Sequence, residues 1–345
     1  MKPSPFISAV VFAYNGEQFL EKSIESVLHQ TLERDKYEIV IITNFEIPEE
    51  LIRSRRKEGF KIKSLLNNGS IGEYILLGFN NSEGEVISFL DYDDEWELKK
   101  LEAVYDAFKS NDNLVYYNND HSVIDKNGKT MREPGVSFQR PRRKDNFAIY
   151  NESEFKEVMR FTKYYGHSKN STISIRKSIL QNTIRILPQV LSTEDEFFFY
   201  AALNSGGLLV LDSQKLTRYR IHQGNKSAIN SNFEENLARK CKTLNAENST
   251  FELLTNMYSS SSLSNLKQCI RLQYVLNKLL YSAICDKKVG FNQRASNVIS
   301  IFRISRLGGG KIQFYTVLLA LSSFISAKLS KKFYLNFGGF KGDAN

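Results

Sequence analysis

The strongest constraint in this chain is an alternation of two periods. Short, wholly apolar runs take turns with amphipathic helical stretches. Phe6–Phe12 (Phe-Ile-Ser-Ala-Val-Val-Phe) has strand length and is closed by the turn signal Tyr14-Asn15-Gly16. From Glu17 the period changes: Leu20, Ile24, Val27 and Leu28 share one helical stripe behind an acidic first turn. The pattern repeats with a strand at Tyr37–Ile42, a charged helical stretch at Glu49–Lys57, and a strand at Lys61–Leu66 closed by Asn67-Asn68-Gly69. A helix over Ile71–Asn80 and a strand at Glu85–Leu90 follow. Strands and helices at this spacing predict βαβ units: an α/β fold with a Rossmann-like, mostly parallel sheet flanked by helices. Such sheets bind ligands beyond the carboxyl ends of their strands. Tyr14 and Asn15, Thr43 and Asn44, and Asp91–Asp94 are therefore expected to line one crevice.

Beyond Asp94 the pattern predicts a helix over Trp96–Lys109, a strand at Leu114–Tyr117 and a turn at Ile124–Gly128. A loop at 132–150, a strand at Ser171–Ile175, a helix over Glu194–Asn204 and a strand at Leu208–Leu211 come next. From about Phe233 the strand signals stop. This places a boundary near residue 230 and predicts a mainly helical region over 231–345. Charge divides at a similar point. The whole chain carries +9, but twelve Lys or Arg against one acid fall between Lys267 and Lys332, and residues 1–266 carry 34 basic and 36 acidic groups. A slightly acidic main body argues against a nucleic-acid partner.

Asp91-Tyr92-Asp93-Asp94 directly follows an apolar strand. Two carboxylates two residues apart on a strand-end turn suit Mg²⁺ or Mn²⁺, which take a few carboxylates and complete their shell with water and phosphate oxygens. A calcium loop is excluded, because Trp96 stands where that loop needs Gly and a strand precedes it. Thr193-Glu194-Asp195-Glu196 opens an apolar helix; its acids fit either N-terminal capping or a general base. Arg218-Tyr-Arg-Ile-His222 offers arginines for a diphosphate and His222 as a third metal ligand.

Together these motifs resemble the family 2 glycosyltransferases with the GT-A fold. The likeness is carried by Phe6–Gln30, by Gly84–Asp94, by Asn170–Leu180 with Thr193–Glu196, and by Tyr219–His222 with Ser227, in order over about residues 5–228. The resemblance implies an inverting, metal-dependent transfer from a nucleotide-diphospho-sugar to a hydroxyl of a glycan or lipid-linked acceptor, in cell-surface polysaccharide or glycolipid assembly. It implies a catalytic domain over 1–230, with a nucleotide-sugar half at about 1–95 and an acceptor half at 96–230. Ala13, Tyr14, Asn15, Glu17 and Asn44 then border the nucleotide. Asp91 faces ribose and metal, Asp93 binds the metal (Mn²⁺ or Mg²⁺), and His222 completes its shell. Asp195 is the acceptor-activating base, with Glu194 as the other candidate. Two positions depart from the family: Thr43-Asn44 replaces an Asp pair, and Ile75-Leu76 replaces Arg-Asn. These departures motivate the alternative of a non-catalytic, membrane-associated glycan-binding module on a degenerate GT-A scaffold. A nucleotidyltransferase would want a Gly-rich loop after the first strand, which Tyr14-Asn15-Gly16-Glu17 is not.

The tail holds the most apolar segment, Ile312–Leu329. Its uncharged part, Ile312–Ala327, makes a helix of about 24 Å, short of a hydrocarbon core of about 30 Å. With basic residues across 303–332, it reads either as an interfacial helix on anionic lipid or as a core helix, and the scarcity of acids favours lipid. The expected location is cytoplasmic, at the inner face of the membrane. Arg140–Lys144 reads as a solvated loop or a phosphate contact for a lipid-linked acceptor. Three cysteines without a CxxC predict free thiols rather than a disulfide framework or zinc site, and no signal peptide is legible at the N-terminus.

Overall fold

The computed structural model describes residues 4–15, 17–131, 146–149, 169–222, 224–225 and 232–285. The chain forms two compact units, one ending at Ile221 and the other made mostly of the chain from His222 onward.

The first unit is built on one sheet. Strands β1 (Ile7–Ala13), β2 (Tyr37–Thr43), β3 (Ile62–Leu66) and β4 (Val86–Asp91) alternate with helices α1 (Glu17–Leu28), α2 (Glu49–Lys57) and α3 (Ile71–Asn81). All pairings among these four strands are parallel. Every residue of β1 and β2 is buried, as expected of parallel strands covered on both faces. Register aligns their carboxyl ends: Ala13 faces Thr43, Thr43 faces Leu66, and Phe12 faces Asp91. The residues just past these ends are thereby delivered to one edge. Helix α3 starts on a capping box, in which Ser70 accepts from the Glu73 N–H and Glu73 accepts from the Ser70 N–H.

The next elements are β5 (Glu95–Trp96), α4 (Lys100–Ser110), β6 (Leu114–Ile124), β7 (Thr130–Met131), β8 (Phe147–Ile149), β9 (Ile173–Arg176), α5 (Lys177–Gln181), α6 (Glu194–Asn204) and β10 (Leu208–Arg220). The sheet runs β3-β2-β1-β4-β9-β6-β10-β5. β9 is antiparallel to both β4 and β6, while β10 is parallel to β6. The Rossmann-like α/β expectation therefore stands, and every antiparallel pair among the described residues involves a strand after β4.

Several local expectations change: the expected loop at 132–150 contains β8, and the strand expected at Leu114–Tyr117 continues to Ile124. The helix after Asp94 begins at Lys100, not Trp96, because Glu95 and Trp96 pair with Arg218 and Thr217. The strand expected at Leu208–Leu211 continues to Arg220, past register shifts near Asp212–Thr217 that let it follow β6. Burial explains the uninterrupted apolar run of α6. Phe197 to Leu203 are all buried, and Phe198 stacks on Phe89 of β4 with ring centroids 4.3 Å apart.

In the second unit, α7 (Phe233–Met257) and α8 (Ser264–Ile284) pack as a hairpin. Asn232 caps α7 by accepting from the Glu234 and Glu235 N–H groups. The expectation of free thiols is corrected here for two of the three: Cys241 and Cys285 are joined in a disulfide, and Cys269, outside it, is buried. Their separation of 44 residues carries no local signal; the returning helix brings their Cα atoms to 5.5 Å. No helix among the described residues is long and apolar enough to cross a membrane. The Ile312–Leu329 segment and the Arg140–Lys144 cluster lie outside the described residues.

Candidate active site

The site is built from three strand ends and one short segment. At the ends of β1 and β2, Asn15 and Asn44 bond each other. Asn15 takes a left-handed conformation (φ 53°), which asparagine tolerates better than most residues. Its N–H donates to Asn44 Oδ1 at 2.9 Å, and Asn44 Nδ2 donates to Asn15 Oδ1 at 2.7 Å. Thr43 turns inward and donates to the Phe45 carbonyl. Ala13 is fully buried, so only its backbone can border a ligand, whereas Tyr14 is 54% exposed. Tyr14 sits edge-on to Tyr74, whose phenol is pushed up to about 12, first by burial and then by Tyr14. Glu17 is exposed in the first turn of α1.

At the end of β4 the three acids differ. Asp91 and Asp93 are half-buried. Asp94 is buried, and its carboxylate accepts from Ser171 Oγ at 2.6 Å and from the Arg220 N–H at 2.9 Å. Burial, then the charges of Asp93 and Asp91, push its carboxyl well above the usual range against those two bonds. Asp94 therefore ties β4 to β10. Arg220 completes the tie. It is fully buried, with Nε donating to the Asp93 carbonyl at 2.7 Å, one amino group to the Asp125 carbonyl at 3.1 Å and the other to Glu95. Arg218 pairs with the same Glu95 and donates to the Gly128 carbonyl. Both arginines read as diphosphate holders are thus spent on β5 and the 125–128 turn.

The segment Lys169–Thr172 joins the acids. Lys169 is left-handed (φ 71°) and leads into a 3-10 turn over Asn170–Thr172. The Lys169 N–H donates to Asp195 Oδ2 at 3.1 Å, and Asn170 Nδ2 donates to Asp91 Oδ1 at 3.1 Å. Ser171 Oγ accepts from the Asp91 N–H at 3.0 Å while donating to Asp94. The segment is held from behind: Trp96 Nε1 and Thr217 Oγ1 both donate to the Ser171 carbonyl, and buried Lys100 donates to the Thr172 carbonyl. Asp91 and Asp195, 104 positions apart in sequence, are thus held by adjacent residues.

At α6 the geometry bears on the capping alternative. Thr193, at the N-cap, is left-handed and makes no side-chain cap bond. Asp195 reaches back to Lys169 with one oxygen and accepts its neighbour's N–H at 2.9 Å with the other. Glu194 is half-buried beside it. His222 belongs to the second unit, and its Nδ1 accepts from the Gly224 N–H at 3.1 Å.

For a divalent cation, the oxygens of Asp91 and Asp93 are the fitting groups. Among the described residues no group of three His, Cys, Asp or Glu is placed to hold a metal. Two carboxylates fit an ion that takes the rest of its shell from phosphate and water. The sequence pattern puts Ser171 and Thr172 inside a strand, whereas they belong to the 3-10 turn before β9, and it does not separate Asp94 from its neighbours. A signal was present: Asn170, Ser171 and Thr172 are three polar residues at the mouth of a buried strand, and buried polar groups need partners.

Residues 8–167 match the sequence model of glycosyl transferase family 2. An uncharacterized glycosyltransferase of Haemophilus influenzae is 24% identical over 293 residues, spanning 81% of this chain and 86% of that protein. The minor teichoic acid biosynthesis protein GgaA of Bacillus subtilis is 28% identical over 123 residues, 32% of this chain and 28% of its own. Among solved structures, S. aureus TarS 1–349 superposes with a TM-score of 0.59 at 14% identity, covering 98% of this chain and 93% of that one. Its complex with UDP-GlcNAc superposes at 0.56. At that identity the likeness is one of fold.

Proposed function

The chain is a family 2 glycosyltransferase, and from that premise we propose that it moves a sugar from a nucleotide-diphospho-sugar to a hydroxyl of a glycan or lipid-linked acceptor, with inversion and with a divalent cation. The observation that carries this reading is the joint anchoring of Asp91 and Asp195 on Asn170 and Lys169, beyond the end of β4. An in-line displacement needs a leaving-group site and a base facing each other across the sugar, both held before substrate arrives. Asp195 takes the acceptor proton; its bonds to two backbone N–H groups orient the carboxylate. Asp91 orients the ribose, and Asp91 with Asp93 holds Mn²⁺ or Mg²⁺. The cation, when bound, supplies positive charge against the departing diphosphate. Tyr14, the backbone of Ala13, and the Asn15–Asn44 pair border the nucleotide; Asn44 donates and accepts where a carboxylate would only accept.

UDP-GlcNAc is the first donor to try, since the TarS fold has been solved with it. The match to GgaA supports a polymer of the cell surface as acceptor. We place the domain boundary near residue 230, the protein at the inner face of the membrane, and the basic stretch 267–332 on anionic lipid. Vesicles with and without anionic lipid test that placement: the full chain should bind the former, and equal binding overturns it. For the chemistry, purified chain is incubated with Mn²⁺ and a panel of nucleotide sugars, and donor hydrolysis is followed. Slow hydrolysis of one donor that disappears in Asp93→Ala is expected. Unchanged hydrolysis in that variant removes the metal assignment, and glycan binding without any nucleotide binding replaces the enzyme by a binding module.

A further inference from the structure

Asn170 is 3% exposed and opens the segment that joins the two candidate acids. Its Nδ2 donates to Asp91 Oδ1. A carboxylate only accepts, so this bond fixes the amide with its nitrogen toward Asp91 and its oxygen turned away. That Oδ1 is buried and has no hydrogen-bond partner. Buried acceptors are nearly always satisfied, and an open one is costly. The neighbouring hydroxyls are already donating: Ser171 Oγ to Asp94, and Thr172 Oγ1 to the Lys169 carbonyl at 2.7 Å. The open acceptor therefore calls for a donor from outside the chain.

Its position says which donor. Lys169, the preceding residue, holds Asp195, while Asn170 holds Asp91. On the glycosyltransferase reading, on which this inference rests, the diphosphate end lies toward Asp91 and the acceptor toward Asp195. The transferred ring lies between them, and the groups it presents there are hydroxyls, each with a hydrogen to donate. We propose that Asn170 is a sugar-binding residue of the donor site: its carboxamide oxygen accepts a hydrogen bond from a hydroxyl of the transferred sugar while its nitrogen keeps Asp91 oriented.

The test is calorimetric titration of the full chain with UDP and with UDP-GlcNAc, both with Mn²⁺, in wild type and Asn170→Ala. The expected result is that both dissociation constants rise, because Asp91 loses its Asn170 bond, and that the one for UDP-GlcNAc rises about tenfold more than the one for UDP. Equal weakening of both ligands overturns the proposal, because the amide then serves nucleotide, cation or fold. Unchanged UDP-GlcNAc binding overturns it too. A wild type that binds UDP and rejects UDP-GlcNAc overturns the sugar contact and leaves the nucleotide reading standing; a wild type that binds neither removes the glycosyltransferase reading itself. Should Asn170→Ala fail to fold, wild type is titrated with UDP-GlcNAc analogues that each lack one hydroxyl. Loss of about tenfold for one analogue is expected, and equal binding of all overturns the proposal.

Discussion

The ends of β1 and β2 differ from the end of β4 in how their polar groups are used. Asn15 and Asn44 bond each other at the edge of the sheet, with Asn15 exposed and no second element packed over the pair among the bonds the structure records. At β4, Asp91, Asp94 and the Asp93 carbonyl are bound to Asn170, Ser171 and Arg220, from two other stretches of chain. The first arrangement is local and tolerant of exchange. The second is preorganised, and its cost was met by long-range folding. On the proposed function, the groups at β4 meet developing charge and must be fixed before the reaction, whereas the Asn15–Asn44 edge meets the nucleotide and can adjust on binding. The departure from the family pattern, Thr43-Asn44, falls on the tolerant side.

This contrast can be broken by substitution. The largest effect is expected at Asp195→Ala: donor transfer should fall by about 10²–10⁴-fold in kcat with KM for the donor little changed, as for loss of a general base. Steady-state kinetics check it, and a rate within a few-fold of wild type passes the role to Glu194. Next is Arg220→Ala. Removing a fully buried cation leaves Glu95 and several carbonyls short of donors, and a loss of about 3–5 kcal/mol in unfolding free energy is expected by denaturant titration. Asp94→Ala should cost about 1–3 kcal/mol by orphaning the Ser171 hydroxyl and the Arg220 N–H, and Asp94→Asn should cost less, because an amide keeps one acceptor and needs no buried charge. The smallest stability effect, about 0.5 kcal/mol or less, is expected at Asn44→Ala, with nucleotide affinity reduced only a few-fold. A larger loss there than at Asp94 would reverse the contrast.

The parallel half was legible because its information is local. Runs such as Ile39–Ile42 and the stripe Leu20-Ile24-Val27 state their period within one window, and Asp91 and Asp93 stand beside the strand that presents them. The second half was read less well, for a physical reason. Trp96 is in β5 only because β10 passes beside it, a partner about 120 residues away. The run Phe197–Leu203 has no amphipathic period to read, since every face of that turn of chain is buried. The disulfide likewise depends on where α8 returns.

Sequence by itself determined the alternation of elements, the class of fold, and the acids available for metal and proton transfer, because period, turn chemistry and side-chain type act over a few residues. Only the tertiary structure decided the surroundings of each acid. Asp94 became a buried tie and Asp91 an anchored, half-buried acid although only two residues separate them. Their surroundings come from Ser171 and Arg220, about 80 and 130 residues on. Asn170 gained its place at the site in the same way: a carboxamide is unremarked in sequence until folding buries it with one end bound and the other open.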